Sequence, residues 1–419
     1  MSTAIRAAVR AMGDGPLHEH ALRQHVFPLF SRTLGAQQSR GEIYLANHSL
    51  GRPLDQTEDD VLEGLRLWYE RLDGAWEDDG WPREQSRFRA AVAHLLGITD
   101  PRLVVPKTSA GQGLRAVLNA LPVDGSLRPL RVVATRGEFD SIDFILKTYQ
   151  SKGRAEISWV EPEFGGAVNR VDEERICQAI GPGTDLVVVS HVLFATGQVL
   201  QDVPSIAARA REAGALLLVD AYHSAGVLPF TMESLQADFL IGGSYKYTRG
   251  GPGACWLALA PSIVGRELRT LDTGWFAKLD PFSYERPEAP LASASGDAWL
   301  ESTPPVLTYY QARAGLELTL ALGVERLRAY SFERQSQLRD AFRFEGVELF
   351  EPDEPARFGA FSLLPHPHAS TLVGRLKEDG VNADARSGFV RFGPDILNTD
   401  DDFREAARRA AKALSEAPQ

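Results

Sequence analysis

The chain is poor in sulfur: its 419 residues include only two cysteines, Cys177 and Cys255, and three methionines. Two cysteines cannot build a disulfide framework, and neither sits in a metal-ligand spacing, so no metal site is expected and the usage fits a reducing compartment. Positive charge is also scarce. Lys and Arg number 45 against 56 Asp and Glu, giving a net charge of -11, and no local basic stripe offsets it. That balance argues against a nucleic-acid surface. No run approaches the eighteen or so apolar residues of a membrane span. The opening MSTAIRAAVRAMGDG contains arginine but makes only a weak organelle-targeting helix. The expectation is a soluble, cytoplasmic protein with no membrane partner. Repeats and low-complexity tracts are absent too.

The chain does have an ordinary globular composition, 44% hydrophobic and 24% charged, and enough length for more than one domain. Between about residues 100 and 260 short apolar runs alternate with helical stretches. RVVAT (131–135), ISWV (157–160), DLVVVSHV (185–192), ALLLVDA (215–221), DFLIGG (238–243) and ACWLALA (254–260) read as strands covered on both faces. GLRAVLNAL (113–121), SIDFILKTYQ (141–150) and VPSIAARAREAG (203–214) read as helices, the last capped by Gly214. This alternation predicts an α/β fold with a mainly parallel, helix-covered sheet. After Pro304 and Pro305 one long helical stretch, roughly 306–341, is expected, then short strands and amphipathic helices at 368–379 and 400–414. The implied division is an N-terminal segment (1–45) packing on the small domain, a large domain (46–305) and a smaller C-terminal α/β domain (306–419). The Pro-, Gly- and aromatic-rich segment 272–305 has little periodicity, and a loop of that length is usually functional.

The centre of the chemistry is SYKYTRGGPG (244–253), directly after the strand DFLIGG. An amine that forms an imine must be neutral when it attacks, and desolvation at a buried strand end favours that form. Alone, Lys246 would read as a surface loop lysine. Asp220 changes that reading. It ends the apolar strand ALLLVDA, where open α/β sheets bind ligands, and a carboxylate there can keep a pyridine nitrogen protonated. His223, three residues on, is placed to hydrogen-bond the carboxylate or a cofactor. Alone, the pair would be a helix cap and a core histidine. PKTSAGQG (106–113), between the strand RLVV and a helix, has the small and hydroxyl residues that cradle phosphate at a helix N-terminus. Phe139, after RVVAT, is an aromatic that can stack on a ring.

In this order the segments resemble the kynureninase family, within the fold-type-I pyridoxal-phosphate enzymes of the class V aminotransferase superfamily. The resemblance covers about residues 44–410. It is carried by YLANHSLGRPL (44–54), SHVLFATGQVLQD (190–202), VDAYHSAG (219–226), SYKY (244–247), GWF (274–276), STPPVL (302–307) and VNADARSGFVRFGP (381–394). It implies a large seven-stranded sheet and a smaller C-terminal domain. It also implies a hydrolase of tryptophan catabolism that cleaves the Cβ–Cγ bond of kynurenine, or of a related γ-keto α-amino acid, to an aryl acid and alanine. Lys246 would carry pyridoxal 5'-phosphate as a Schiff base and Asp220 would partner the pyridine nitrogen. Thr108, Ser109, Ser190 and His223 would contact the cofactor, and Phe139 would stack on it. Tyr245 would touch the phosphate and donate a proton. Trp275 and Thr303 match residues that reach the phosphate from the partner subunit, which implies a homodimer with shared sites. Ser49, Trp76 and Arg391 would contact substrate, Arg391 gripping the α-carboxylate with the bidentate geometry of a guanidinium.

The chain departs from the family where substrate selection is expected. It has Leu193 and Phe194 where a polar-aromatic pair is usual, Lys278 where histidine is common, and no histidine in RLDGAWEDDGW (71–81). An aminotransferase or C–S lyase of the same fold, or a non-catalytic binding module, is the alternative. A desulfurase needs a mobile cysteine well downstream of the lysine, and none follows Cys255.

Overall fold

The structure, a computed structural model, describes residues 2–122, 126–163, 168–266 and 268–416. Met1 and residues 417–419, the outer limits of the expected domains, lie outside them. Seven strands form the large sheet: β1 (Val104–Lys107), β2 (Leu130–Thr135), β3 (Ala155–Val160), β4 (Leu186–Ser190), β5 (Leu216–Asp220), β6 (Phe239–Gly243) and β7 (Cys255–Leu259). Their spatial order is β1-β7-β6-β5-β4-β2-β3. β7 runs antiparallel to both its neighbours, while the other pairings are parallel. The mainly parallel α/β sheet expected from the apolar runs is therefore present.

Successive residues of one strand serve different cores. Val187 and Val189 of β4 join a cluster with Leu217, Val219 and Trp256, whereas Leu186 and Val188 join Leu216, Leu218 and Phe239 on the opposite face. That two-sided burial explains why these strands are apolar at every position. β3 differs from the expectation. It is an edge strand with Glu156 exposed and Ile157 and Trp159 only half-buried, so ISWV is covered on one face better than on the other.

The expected single helix over 306–341 is two helices, Leu307–Leu322 and Val324–Phe344. Gly323, at φ +83°, breaks them. Its missing Cβ permits a backbone turn that the continuous apolar spacing does not reveal. Leu318, Leu322, Leu327 and Tyr330 of this pair bury Ile5, Leu22, Val26 and Phe30 of the N-terminal helices. A second sheet is antiparallel, Asp384–Arg386 beside Phe389–Phe392 beside Ser362–Pro365. The segment 272–305 holds 3-10 turns at Trp275–Ala277, Pro281–Ser283 and Gly296–Trp299 and one isolated antiparallel bridge between Lys278 and Ala292. Among the described residues no helix is long and apolar enough to cross a membrane.

Candidate active site

The carboxyl ends of β2, β4, β5 and β6 open onto a cavity of about 400 Å³, lined by Thr108, Ser109, Phe139, Ser190, Asp220, Tyr222, His223, Tyr245, Lys246 and Cys255 among others. Each strand delivers its residue for a local reason. β6 ends at Gly243, where a Cβ would fall 2.2 Å from the Tyr222 hydroxyl. Only glycine lets the chain pass that ring and turn Lys246 inward. β4 and β5 end in register at Ser190 and Asp220. Ser109 caps the Ala110–Leu118 helix, its side chain accepting the Gln112 amide, so that helix N-terminus faces the cavity with its partial positive charge.

Lys246 is buried, and its Nζ lies 2.6 Å from Nε2 of His223. Burial pushes the amine down to about 7, with Asp220 pulling it up and Arg391 pushing it further down. Burial also holds His223 well below its ordinary value, helped by Lys246 and Arg391. A neutral imidazole thus pairs with the amine through Nε2, and Nδ1 is left buried without a partner. Burial pushes the Asp220 carboxyl up, opposed by the Tyr222 amide 2.8 Å from Oδ1 and by Lys246. The Lys246 nitrogen sits 5.5 Å from the centre of the Phe139 ring and 4.9 Å from that of Tyr222.

Five of the expected site residues do not line this cavity. Ser49 and Arg391 lie behind its wall, both bonded to Asp384, at 2.5 Å from Ser49 Oγ and 2.6 Å from Arg391 Nε. Arg391 also donates to the carbonyl of Phe194, a cavity residue. Trp76 packs edge-on against Trp81 at 5.0 Å and against Phe276. Trp275 donates to Thr303 at 3.3 Å in the 272–305 segment, where its ring stacks on Tyr284. Conversely, the cavity and its floor contain groups the motifs had not marked. Tyr222 lies inside the VDAYHSAG segment, and Cys255 pairs with its hydroxyl at 3.4 Å. Glu138 precedes Phe139 and is fully enclosed, accepting from Thr135 and Ser190 at 2.6 Å each. Burial raises its carboxyl to about 7. A carboxylate beside a candidate stacking aromatic was the available signal.

A buried amine held near neutrality beside a carboxylate and a capped helix end defines the class. The chain belongs to the aminotransferase class-V family, whose profile matches residues 83–388. Within that family it is kynureninase-like: it is 29% identical to the kynureninase of Pseudomonas fluorescens over 368 residues, 84% of each chain. Against the kynureninase of Burkholderia mallei the identity is 26% over 371 residues, again 84% of each. Among solved structures, the cysteine desulfurase of Thermococcus onnurineus NA1 superposes with a TM-score of 0.75 at 17% identity, covering 90% of this chain and 96% of that one. The cystine C–S lyase C-DES gives 0.77 at 19%, covering 88% and 97%. At those identities the agreement is one of fold.

Pyridoxal phosphate is the cofactor of this family, and the cavity fits it. The amine, the acid for a ring nitrogen, the aromatic face of Phe139 and the helix end for a phosphate all border one volume, and His223 Nδ1 is an unpartnered buried polar atom beside them.

Proposed function

We propose that the chain is a pyridoxal-phosphate hydrolase that cleaves the Cβ–Cγ bond of kynurenine or a closely related γ-keto α-amino acid, releasing an aryl acid and alanine. The observation that carries this reading is the buried Lys246 amine, drawn down to about 7, at the end of β6 beside Asp220. When bound, pyridoxal phosphate supplies an aldehyde carbon for amines and a protonated ring that withdraws electrons.

Lys246 Nζ would hold the cofactor covalently and, as a free amine, would take the proton from the substrate Cα. His223 pairs with Nζ and keeps it oriented. Asp220 stays ionised to hold a proton on the ring nitrogen. The N-terminal turn after Ser109, with Thr108, receives the phosphate. Water adds to the γ-carbonyl and supplies the second oxygen of the aryl acid, and Tyr245, which borders the cavity, donates a proton to Cβ as the Cβ–Cγ bond breaks. Arg391 holds the substrate carboxylate, and the apolar wall of Phe139, Ile142, Val192 and Phe194 receives the aryl group. A homodimer with shared sites completes the reading, with Trp275 and Thr303 serving the neighbouring subunit. The exposed apolar side chains Leu279, Phe282, Tyr284 and Leu291 on the 272–305 segment support it.

Cofactor-loaded protein mixed with L-kynurenine and with 3-hydroxykynurenine should give anthranilate-type fluorescence and an equal amount of alanine from at least one of them. A loaded protein silent with both overturns the proposal.

A further inference from the structure

The carboxylate of Asp384 accepts four hydrogen bonds from three side chains. Arg391 donates Nε to Oδ1 at 2.6 Å and Nη2 to Oδ2 at 2.5 Å. His48 Nε2 reaches Oδ1 at 2.9 Å and Ser49 Oγ reaches Oδ2 at 2.5 Å. Asp384 and Arg391 are also direct partners across the antiparallel hairpin. That hairpin turns through Ser387 and Gly388, both at positive φ, as a two-residue turn requires.

Two arrangements are conceivable for such a carboxylate: an occupant that substrate must evict, or a fixed bracket for the guanidinium. Saturation decides between them. A carboxylate offers about four lone-pair directions, and all four are taken by strong donors, two of them charged. Burial by itself would raise this acid, yet the bonds from His48 and Arg391 hold it far below the ordinary carboxylate range. Evicting it would strand an anion. Of the five guanidinium N–H donors, Asp384 takes two and the Phe194 carbonyl a third. One remains on each terminal nitrogen, available to a second carboxylate.

We infer that Asp384, anchored by His48 and Ser49, is the positioning residue that aims Arg391 at the substrate α-carboxylate, so that Ser49 serves substrate through Asp384. This inference rests on the proposed role of Arg391.

The test uses cofactor-loaded protein and two amines, L-alanine and ethylamine, which share an amino group and differ in the carboxylate. Binding is read from the visible absorbance of the cofactor. In Asp384→Asn the Kd of L-alanine should rise at least about 10-fold, as loss of an aimed charge-assisted pair implies, while that of ethylamine stays within about 2-fold. Adding Arg391→Lys to Asp384→Asn should weaken L-alanine little further. Ser49→Ala, which keeps both charges, should show the same selective weakening at about 3-fold and covers the case in which Asp384→Asn does not fold. Unchanged or tighter L-alanine binding overturns the inference, as does equal weakening for both amines. Wild-type protein that binds L-alanine yet yields no anthranilate from kynurenine contradicts the proposed hydrolysis and leaves the role of Asp384 standing.

Discussion

Nζ of Lys246 and Nε2 of His223 face each other at 2.6 Å, both side chains buried, and neither carries a full charge comfortably. Two cations at that separation would repel strongly in a medium of low dielectric, so the neutral imidazole and the lowered amine support one another.

The amine should therefore react as a nucleophile at neutral pH. The rate at which cofactor-free protein takes up pyridoxal phosphate should climb as pH rises through about 7, because the neutral amine forms above that value. In Asp220→Asn the anion that raises Lys246 is gone, and the midpoint should fall. Stopped-flow absorbance measures both. A midpoint near the unperturbed lysine value of about 10.4 would mean that burial does not govern this group.

Replacing Lys246 by Ala removes both the covalent anchor and the proposed base. The visible absorbance of the loaded protein should be lost, and kcat should fall by roughly 10³-fold or more. Steady-state kinetics together with the absorbance spectrum check this. A variant that stays yellow and active would assign the chemistry to another amine.

Glu138 predicts a stability signature. Its carboxyl is raised in the folded chain, so the folded state binds more protons than the unfolded state between the ordinary glutamate value and about 7. Stability from this group is present at acid pH and is lost as pH rises across that window. Glu138→Gln should flatten the loss. Relative to wild type, the variant should gain roughly 3 kcal/mol between pH 4.5 and pH 8, read from urea denaturation midpoints at the two values.

The loop after Lys246 is braced from behind by Gly315. A Cβ there would lie 2.2 Å from the Thr248 carbonyl oxygen and 2.8 Å from the Arg249 carbonyl carbon. Gly315→Ala places no strain on the helix itself, yet it must push that loop away. A loss of about 1–3 kcal/mol is expected from such overpacking, with weaker cofactor retention on dialysis as the second readout.

Much of this architecture can be read directly along the chain. The strands β4 to β7 stand out because burial on both faces demands a run of apolar residues, β2 because only Arg131 interrupts its run, and Lys246 and Asp220 because each follows such a run. The helix over 306–341 misleads, since its apolar spacing carries on across Gly323. Asp384 and Glu138 give no such signal, for a different reason. Each is a buried acid whose meaning depends on partners brought by the fold, such as His48 and Ser49, more than 330 positions from Asp384. Ser49 and Arg391 fall next to the cavity without bordering it, held there by their bonds to that same acid. Trp76, Trp275 and Thr303 pack within the aromatic surface segment and its neighbours, away from the cavity of their own chain.

The most direct test is chemical. Loaded protein is treated with borohydride, which fixes any imine between cofactor and lysine, then digested and mapped by mass spectrometry. The cofactor should be found on the peptide containing Lys246. Its recovery on Lys107, which is buried and paired with Glu301, or on any other lysine, would contradict the account.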